Sequence, residues 1–428
     1  MITSSMSRVL PQNEFHHLLG HPTDLAGHIE AHGPLATALG SDESWRRTLA
    51  ADLESSGLTG RGGGGFPASI KVAKASAHGR GGTVVVNGME SEPASDKDKV
   101  LLTRVPHLVL DGAQFVAAMS GAECIVVCIP AGRDGVAGAV TRALAERAAS
   151  HYSRVVEVVA RPPDRFISGE ESALVAWVDE GQSLPAFRPD KGTPLMIGKR
   201  QALVHNAETL AHLALIARRG SEQFRARGVP EEPGTCLVTI GGSVAHPGVV
   251  EVDRGTPLCD IVSRGAPVEP AQALLVGGYG GTWVGPEHFA TPYASMSLRT
   301  IGATAGVGVI VVLGQAFCGI AESARIARYL AGQSAGQCGP CVFGLPAIAD
   351  DMGLLARGQV DPDLMERMQR RLGQVNGRGA CHHPDGAVGL VRSALNVFAA
   401  DVAAHLRGAP CVPSHTATSL RFPRTVSL

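Results

Sequence analysis

Runs of β-branched residues alternate with helical patterns in the first half of the chain, and this alternation constrains the fold most. The predicted strands and the helices between them are 82–87, 108–120, 124–129, 137–149 and 155–160. Strands that alternate with helices are typical of a mainly parallel sheet with helices on both faces. The sequence therefore predicts an α/β domain that follows a helical stretch ending near residue 56 and runs to about residue 225.

Beyond residue 230 the pattern changes to a small β-rich module. Two short strands, 235–240 and 248–252, precede a short helix at 256–263. The uncharged stretch 300–321 is long enough to test as a membrane span. Its five glycines and β-branched centre favour a buried strand of an α/β protein instead.

The last quarter of the chain is helical. Candidate helices are 320–333, 342–357, 362–375 and 386–407, and helices of this length and spacing suggest a small bundle. Apolar residues of the last segment recur at steps of three and four, which gives the helix one apolar face. Asp385 is its predicted N-cap.

The charge balance excludes two classes of partner. Lys and Arg number 38 against 39 Asp and Glu, so no basic excess is present to hold nucleic acid or an anionic membrane surface. The first 15 residues lack the cationic start and apolar core of a secretory signal. We therefore expect a soluble cytoplasmic protein without direct membrane insertion.

A glycine-rich loop is the densest motif in the chain. Glycine makes up 53 of 428 residues, about 12% against a typical ~7%, and five lie between Gly60 and Gly65. The loop satisfies G-x-G-x-x-G, but no strand precedes it, so the dinucleotide fingerprint fails its context test. Its backbone amides can still converge on a phosphate or a flat ring, with Lys71 adding a cation one helical turn inside the next helix. The alternative is a flexible surface loop.

Two acidic clusters accompany this loop. Glu90 and Glu92 follow the strand that ends at Asn87, and Glu170 and Glu171 open a helix. Carboxylates would repel a phosphate, but they can accept hydrogen bonds from sugar or polyol hydroxyls or from an amide. Solvated helix starts are the alternative explanation.

The nine cysteines divide into two groups. Five lie in apolar runs and are expected to be small buried hydrophobes: Cys124, Cys128, Cys236, Cys259 and Cys318. The others are Cys338 and Cys341 in a C-x-x-C, Cys381 in a polar loop and Cys411 further on. In a cytosolic protein this grouping favours metal or redox chemistry over a structural disulfide.

Five motifs occur in the order of one known family. They are Gly57-Leu-Thr-Gly-Arg-Gly-Gly-Gly-Gly-Phe-Pro67, Asn87 with Glu90-Ser-Glu92-Pro, Gly169-Glu-Glu-Ser-Ala-Leu174, Asn206-Ala-Glu-Thr-Leu210 and Gly336-Gln-Cys-Gly-Pro-Cys341. The chain resembles the flavin-bearing F subunit of respiratory complex I and related NADH dehydrogenases and hydrogenases, over about residues 55–405.

The resemblance implies an architecture and an activity. It implies a parallel-sheet domain for FMN and NADH at 56–228, a ubiquitin-like soluble-ligand-binding β-grasp (SLBB) domain at 229–290 and a four-helix iron–sulfur domain at 318–410. The polar, helical residues 1–55 precede these domains as an N-terminal helical extension. In such an NADH dehydrogenase, NADH passes a hydride to FMN, and electrons then leave singly to an iron–sulfur centre or partner subunit. Expected partners are a nicotinamide nucleotide and other redox subunits or a ferredoxin-like acceptor.

The shared motifs also imply which residues form the site. The resemblance assigns to FMN or NADH the residues Gly60, Arg61, Gly62, Gly63, Phe66, Lys71, Asn87, Glu90, Glu92, Gly169, Glu170, Glu171, His205 and Asn206. Phe66, and with it Phe187, would stack on the adenine of NADH. The implied metal ligands are Cys338, Cys341 and Cys381.

The chain also departs from the family pattern. Ala335 stands where the first of four cluster cysteines is expected, so the three thiols could leave an open iron, accept His382 or His383, or hold nothing. Around the flavin, changes of residue type fall at Met89, Phe166, His205, Val72 and Lys74. Two alternatives stay open: a diverged FMN-binding electron-transfer or scaffold subunit that does not oxidise NADH, and a non-catalytic SLBB ligand-binding protein.

Overall fold

A computed structural model describes residues 9, 18–20, 24–39, 44–76, 81–188, 193–409 and 418–422. Its α-helices are α1 Leu25–His32, α2 Leu35–Ala38, α3 Ser44–Ser56, α4 Ala68–Ser76, α5 Lys97–Arg104, α6 Pro106–Ser120, α7 Asp134–Ala149, α8 Glu171–Glu180, α9 Ala207–Arg225, α10 Leu258–Ser263, α11 Ser295–Thr300, α12 Gly319–Gly332, α13 Leu345–Ala356, α14 Leu364–Val375, α15 His383–Val397 and α16 Ala399–Leu406.

Its strands are β1 Thr83–Asn87, β2 Cys124–Cys128, β3 Val156–Ala160, β4 Leu195–Ile197, β5 Arg200–Asn206, β6 Gly228–Val229, β7 Glu232–Pro233, β8 Thr235–Gly242, β9 Gly248–Asp253, β10 Ala271–Val276, β11 Thr282–Val284 and β12 Val309–Gly314.

The first sheet has the order β3-β2-β1-β5-β4, and only β4 runs antiparallel. Valine-rich β1 and β2 are buried on both faces, as central strands of a parallel sheet are. Helices α6 and α9 pack against this sheet and share one apolar core with it. The predicted parallel-sheet α/β domain is confirmed.

The second sheet has the order β9-β8-β12-β10-β11 and is mixed. β8 and β12 run parallel to each other, β9 pairs antiparallel with β8 at one edge, and the antiparallel β10–β11 hairpin continues the sheet from β12 to the other edge. The predicted buried strand near Ile310 is therefore the middle strand of this sheet. Because β12 ends at Gly314, the sheet continues past the predicted boundary at residue 290.

The C-terminal region is helical, as predicted, but it differs in detail. The expected single helix at 386–407 is two helices, α15 and α16, bent by 83° at Phe398. The bend places the Phe398 ring edge-on against Trp283, with a centroid distance of 5.2 Å, and over Gly319. Asp385 is not the N-cap, because α15 begins earlier at His383; its carboxylate accepts a hydrogen bond from the Gly377 amide at 2.7 Å.

Residues 418–422, which we call the strap, bind the first domain to the helices. Arg421 pairs with Asp96 at 2.6 Å, and its carbonyl accepts a hydrogen bond from the Tyr279 hydroxyl at 2.6 Å. Thr418 donates to Glu322 of α12 at 2.8 Å. The strap thus contacts three parts of the fold at once.

Within the described ranges, no single helix has both the length and the apolar character needed to cross a bilayer. Among the helices given above, only the bent pair α15 and α16, taken together, meets that measure.

Candidate functional site

The carboxyl ends of two central strands meet beside the glycine loop. Asn87 ends β1 and Asn206 ends β5, and the two residues are register partners. Asn206 caps α9 by accepting a hydrogen bond from the Glu208 amide at 3.0 Å. Asn87 donates to the Gly169 carbonyl at 2.9 Å. Ligands of open α/β sheets bind at such strand ends, so these side chains mark the floor of the site.

The glycine loop lies over this floor and is exposed. The Gly60 amide donates to the Phe66 carbonyl at 2.9 Å, which closes the loop. At Gly62, an added Cβ would lie 3.3 Å from the Asn206 Cβ, whereas at Gly64 it would meet nothing within 4 Å. A side chain at Gly62 would therefore fill the space between the loop and the strand ends.

The start of α8 supplies the acidic wall. Glu170 is its N-cap and accepts hydrogen bonds from the Ser172 hydroxyl at 2.5 Å and the Ala173 amide at 2.9 Å. Glu171 pairs with Lys71 at 2.6 Å. Lys71 thus lies beside the loop as predicted, but its ammonium is paired to a carboxylate rather than free.

His205, one residue before Asn206, is a buried histidine with an unpaired ring nitrogen. It is 5% exposed, and its Nε2 has no hydrogen-bond partner among the described residues. Burial, and then the charge of Lys71, lowers the pKa of His205 to about 3. The imidazole is therefore neutral at physiological pH, and its orphaned nitrogen indicates a missing partner such as a ligand.

Glu90 and Glu92 lie close by, but the protein itself uses their oxygens. Glu90 accepts hydrogen bonds from the Ser95 hydroxyl at 2.7 Å and from the amides of Asp98 and Lys99 at 2.9 Å each, in the loop and first turn of α5. Glu92 accepts from the Ala94 amide at 3.1 Å and the Tyr279 amide at 2.8 Å. Burial raises the pKa of Glu92 to about 7. These two carboxylates therefore brace the site and link it to the second sheet.

A buried ion cluster supports the floor from below. Lys97 pairs with Asp98 and with Glu208 at 2.9 Å each and donates to Asn206 at 3.2 Å. All three charged side chains are nearly inaccessible to solvent. Burial raises the pKa of Asp98 although Lys97 opposes the rise, whereas the charge of Lys97 outweighs burial at Glu208 and lowers the pKa of that carboxyl to about 2.

Arg61 lies differently from the expectation. Its amide donates to the Thr209 hydroxyl at 2.9 Å, but its guanidinium turns to the second sheet and donates to the Thr235 carbonyl at 3.2 Å. There it lines a cleft of about 630 Å³ together with Arg254, which pairs with Glu232. The Arg61 backbone, rather than its side chain, therefore belongs to the strand-end site.

The two phenylalanines predicted to stack on adenine are both exposed. Phe66, at the end of the glycine loop, is 47% exposed, and Phe187 is 73% exposed. Exposed aromatic faces are available for stacking, but the structure gives no contact between the two rings.

The three cysteines form a second site beside the first. Cys338, Ser334 and Cys381 all lie near enough to Cys341 to act on its thiol. Burial, and then Cys338, raises the pKa of the Cys341 thiol to about 12. Burial raises the pKa of Cys381 as well, and Glu170 of the strand-end site adds to this rise. The two sites are therefore neighbours.

A four-thiolate iron–sulfur cube does not fit these side chains. Ala335 supplies no ligand, and His382 is 76% exposed and pairs with Asp385 at 3.1 Å. The Nε2 of His383 binds the Leu330 carbonyl at 2.8 Å, leaving a buried, unpartnered Nδ1. Among the described residues, no group of three or more His, Cys, Asp or Glu side chains has metal-binding geometry; Cys411 lies outside them.

Sequence reasoning overlooked two residues of the site and was wrong about the burial of one cysteine outside it. Thr209 stands within the quoted Asn206-to-Leu210 motif, so the motif could have revealed it. Lys97 gave no signal, because a lysine at a helix start looks like a solvated residue until the fold buries it. Cys259 was expected to be buried but is exposed on α10.

The fold and the two neighbouring sites define a class of protein: an α/β domain with a glycine loop over its strand ends, joined to a helical domain with a cysteine motif. Comparison with known families supports each part. Residues 53–215 match the Nuo51 FMN-binding domain, and residues 315–405 match the NADH-ubiquinone oxidoreductase-F iron-sulfur binding region. The chain thus carries both characteristic regions of this family, and the resemblance read from its motifs is confirmed.

Individual relatives agree with this assignment. The F 2 subunit of NADH-quinone oxidoreductase in Rhizobium meliloti (strain 1021) is 27% identical over 85% of this chain and 89% of its own length. The mitochondrial NADH dehydrogenase [ubiquinone] flavoprotein 1 of Dictyostelium discoideum is 26% identical over 82% of this chain and 77% of its own.

A solved structure extends the likeness to the whole fold. The NAD+-reducing [NiFe]-hydrogenase in the H2-reduced state contains a chain that superposes with a TM-score of 0.81 at 27% identity. The match covers 94% of this chain and 68% of the hydrogenase chain.

Proposed function

We propose that this chain is an NADH dehydrogenase flavoprotein subunit, which takes a hydride from NADH onto FMN and passes the electrons to an iron–sulfur centre or a partner subunit. The observation that carries the proposal is the glycine loop placed over the paired strand ends of Asn87 and Asn206. The matching FMN-binding family and the NADH-quinone oxidoreductase relatives support it.

FMN fits the residues of the strand-end site. The space that a Cβ at Gly62 would fill and the orphaned Nε2 of His205 are what a flat ring and a hydrogen-bonding ligand require. We assign the ring and ribityl chain to Asn87, His205 and Asn206, and the phosphate to the amides of Gly60 to Gly63 with Lys71 beside them.

Bound FMN would supply the chemistry, since it accepts a hydride and releases electrons one at a time. The protein contributes position and electrostatics. The neutral imidazole of His205 adds no charge beside the ring, and the Asn87 amide is fixed by its bond to the Gly169 carbonyl. We assign Glu170 and Glu171 to the hydroxyls of a nicotinamide nucleotide. We assign Phe66 and Phe187, whose rings are exposed, to its adenine.

We assign the second sheet to the SLBB β-grasp domain. Numbered within the module, its strand order is 2-1-5-3-4 with a helix between the second and third strands, and its first and last strands are parallel. This is the ubiquitin-like arrangement. We extend the domain to Gly314, since the sheet is incomplete without β12.

The test is the absorption spectrum of the FMN-loaded chain without oxygen, before and after NADH. Bleaching of the flavin band by NADH supports the proposal. If flavin binds but does not respond to NADH, the result supports an FMN-binding electron-transfer or scaffold protein instead. If flavin does not bind, the result supports a non-catalytic ligand-binding protein. Photoreduction is the control that shows the bound flavin can be reduced at all.

A further inference from the structure

The backbone of the C-x-x-C motif brings its two cysteines into one turn. Cys341 donates its amide to the Cys338 carbonyl at 3.0 Å, so both residues lie in one helical turn. Residues three apart in a helix lie on one face, so this turn places the two thiols on the same side. Cys341 is 5% exposed and Cys338 is half-buried, so one thiol is accessible and the other is protected.

The missing ligand gives this pair a different chemistry. A [4Fe–4S] cube takes four thiolates as a rule, and Ala335 leaves three. Two adjacent thiols need no metal to be redox-active, because they can join as a disulfide and open again. This reaction moves two electrons, which is also the number that a hydride carries.

The pair is fixed to the flavin site by the loop that precedes it. Gln333 accepts a hydrogen bond from the Phe166 amide at 3.0 Å, and the Ser334 carbonyl accepts one from Arg165 at 3.0 Å. The segment that donates these bonds runs directly into Glu170, the N-cap of α8 in the strand-end site. The segment therefore joins the strand-end site to the loop that carries the C-x-x-C pair.

We propose that Cys338 and Cys341 form a redox-active dithiol that takes the place of the family's cluster, and that its disulfide is reduced by NADH through the flavin site. The proposal rests on the proposed function. NADH is oxidised to NAD+, the S–S bond breaks, and two S–H bonds form with the hydride's two electrons, its proton and one proton from solvent. The accessible Cys338 thiol can then reduce a disulfide of a substrate by thiol–disulfide exchange.

The experiment counts thiols in the FMN-loaded full chain. The protein is oxidised with diamide, freed of oxidant, and titrated with NADH without oxygen; new thiols are then alkylated with a maleimide and located by peptide mass spectrometry. We expect the oxidised chain to consume one equivalent of NADH more than the flavin alone requires. Two new thiols should appear, at Cys338 and Cys341. C338S should gain neither. C259S removes an exposed cysteine elsewhere and should behave as the parent chain does.

The outcomes separate the two proposals. If NADH does not bleach the flavin but photoreduction produces the two thiols, NADH fails as the electron source in both proposals, and electron transfer from the flavin site to the dithiol stands. If the flavin is bleached and no thiols appear, the dithiol is overturned and the proposed function stands. Anaerobic reconstitution that loads about four iron atoms per chain and blocks both thiols from alkylation would also overturn the dithiol.

Discussion

The strand-end site and the cysteine site differ in what builds them. The strand-end site is assembled from backbone amides, helix starts and strand ends, so it keeps its shape although His205 and Met89 depart from the family pattern. The cysteine site depends on side chains at four positions, and one replacement, Ala335, leaves it a ligand short. A site made by backbone tolerates divergence that a site made by side chains does not.

Restoring the missing thiol would test this contrast most strongly. We expect Ala335→Cys to raise the iron content after anaerobic reconstitution to about four atoms per chain, with the parent chain well below that. The measurement is iron and sulfide analysis with electron paramagnetic resonance of the dithionite-reduced protein. Ala335→Ser is the control of similar size. Equal iron in the parent chain would show that three thiols suffice.

Removing the buried cation beneath the strand ends should lower the unfolding free energy of the chain. Lys97→Met leaves Asp98 and Glu208 buried without their partner, which costs about 3–5 kcal/mol of unfolding free energy. Urea denaturation measures the change. Arg200→Met breaks the exposed pair with Glu123 and should cost less than about 1 kcal/mol. Similar losses in the two variants would contradict the role given to the ion cluster.

A pair of glycine variants would locate the flavin within the loop. Gly62→Val places methyl groups against Asn206, so we expect flavin affinity to fall about a hundredfold, or ~2.7 kcal/mol. Gly64→Val meets open space and should bind flavin within a few-fold of the parent chain. Flavin fluorescence quenching gives both constants, and circular dichroism verifies folding. An equal loss at Gly64 would show that loop flexibility, not the space beneath Gly62, matters.

The smallest expected effect is a pH dependence at the joint between domains. The pKa of Glu92 is about 7 in the fold, above its usual value near 4.5, so the folded state binds its proton more tightly. Its contribution to stability is complete below about pH 4.5 and is lost as the pH rises to about 7.

Between pH 5 and pH 8, the unfolding free energy of Glu92→Gln should therefore fall by less than that of the parent chain, and the difference should be on the order of 2 kcal/mol. Urea denaturation at both pH values measures this. Glu123→Gln, at an exposed position, is the matched control. An unchanged pH slope in Glu92→Gln would show that other groups, such as the buried Glu251, produce it.

Prediction from sequence succeeded where local pattern decides the structure. Valine-rich strands and amphipathic helices carry their own periodicity, and the Asn87 and Glu170 motifs fall at element ends, where local residue preferences are strong. It failed where distant contacts decide. The break at Phe398 follows from its packing on Trp283, and β12 joins the second sheet only through pairing with β8 and β10, far from it in sequence.

The same distinction applies within the site. The glycine loop could be recognised from composition alone, but the direction of the Arg61 side chain depends on Thr235, which is 174 residues away. Glu90 and Glu92 look identical to ligand-binding carboxylates in sequence. Only the fold shows that amides of α5 and of the second sheet occupy their oxygens.

The strap at 418–422 has a consequence for how the chain is made. The ribosome synthesises from the N-terminus, and domains generally fold as they emerge. The Arg421 pair with Asp96 and the bond from Tyr279 can form only after every other described element has been translated. Until then the first domain and the helices lack these bonds, so the strap can add to the stability of their packing only at the end of synthesis.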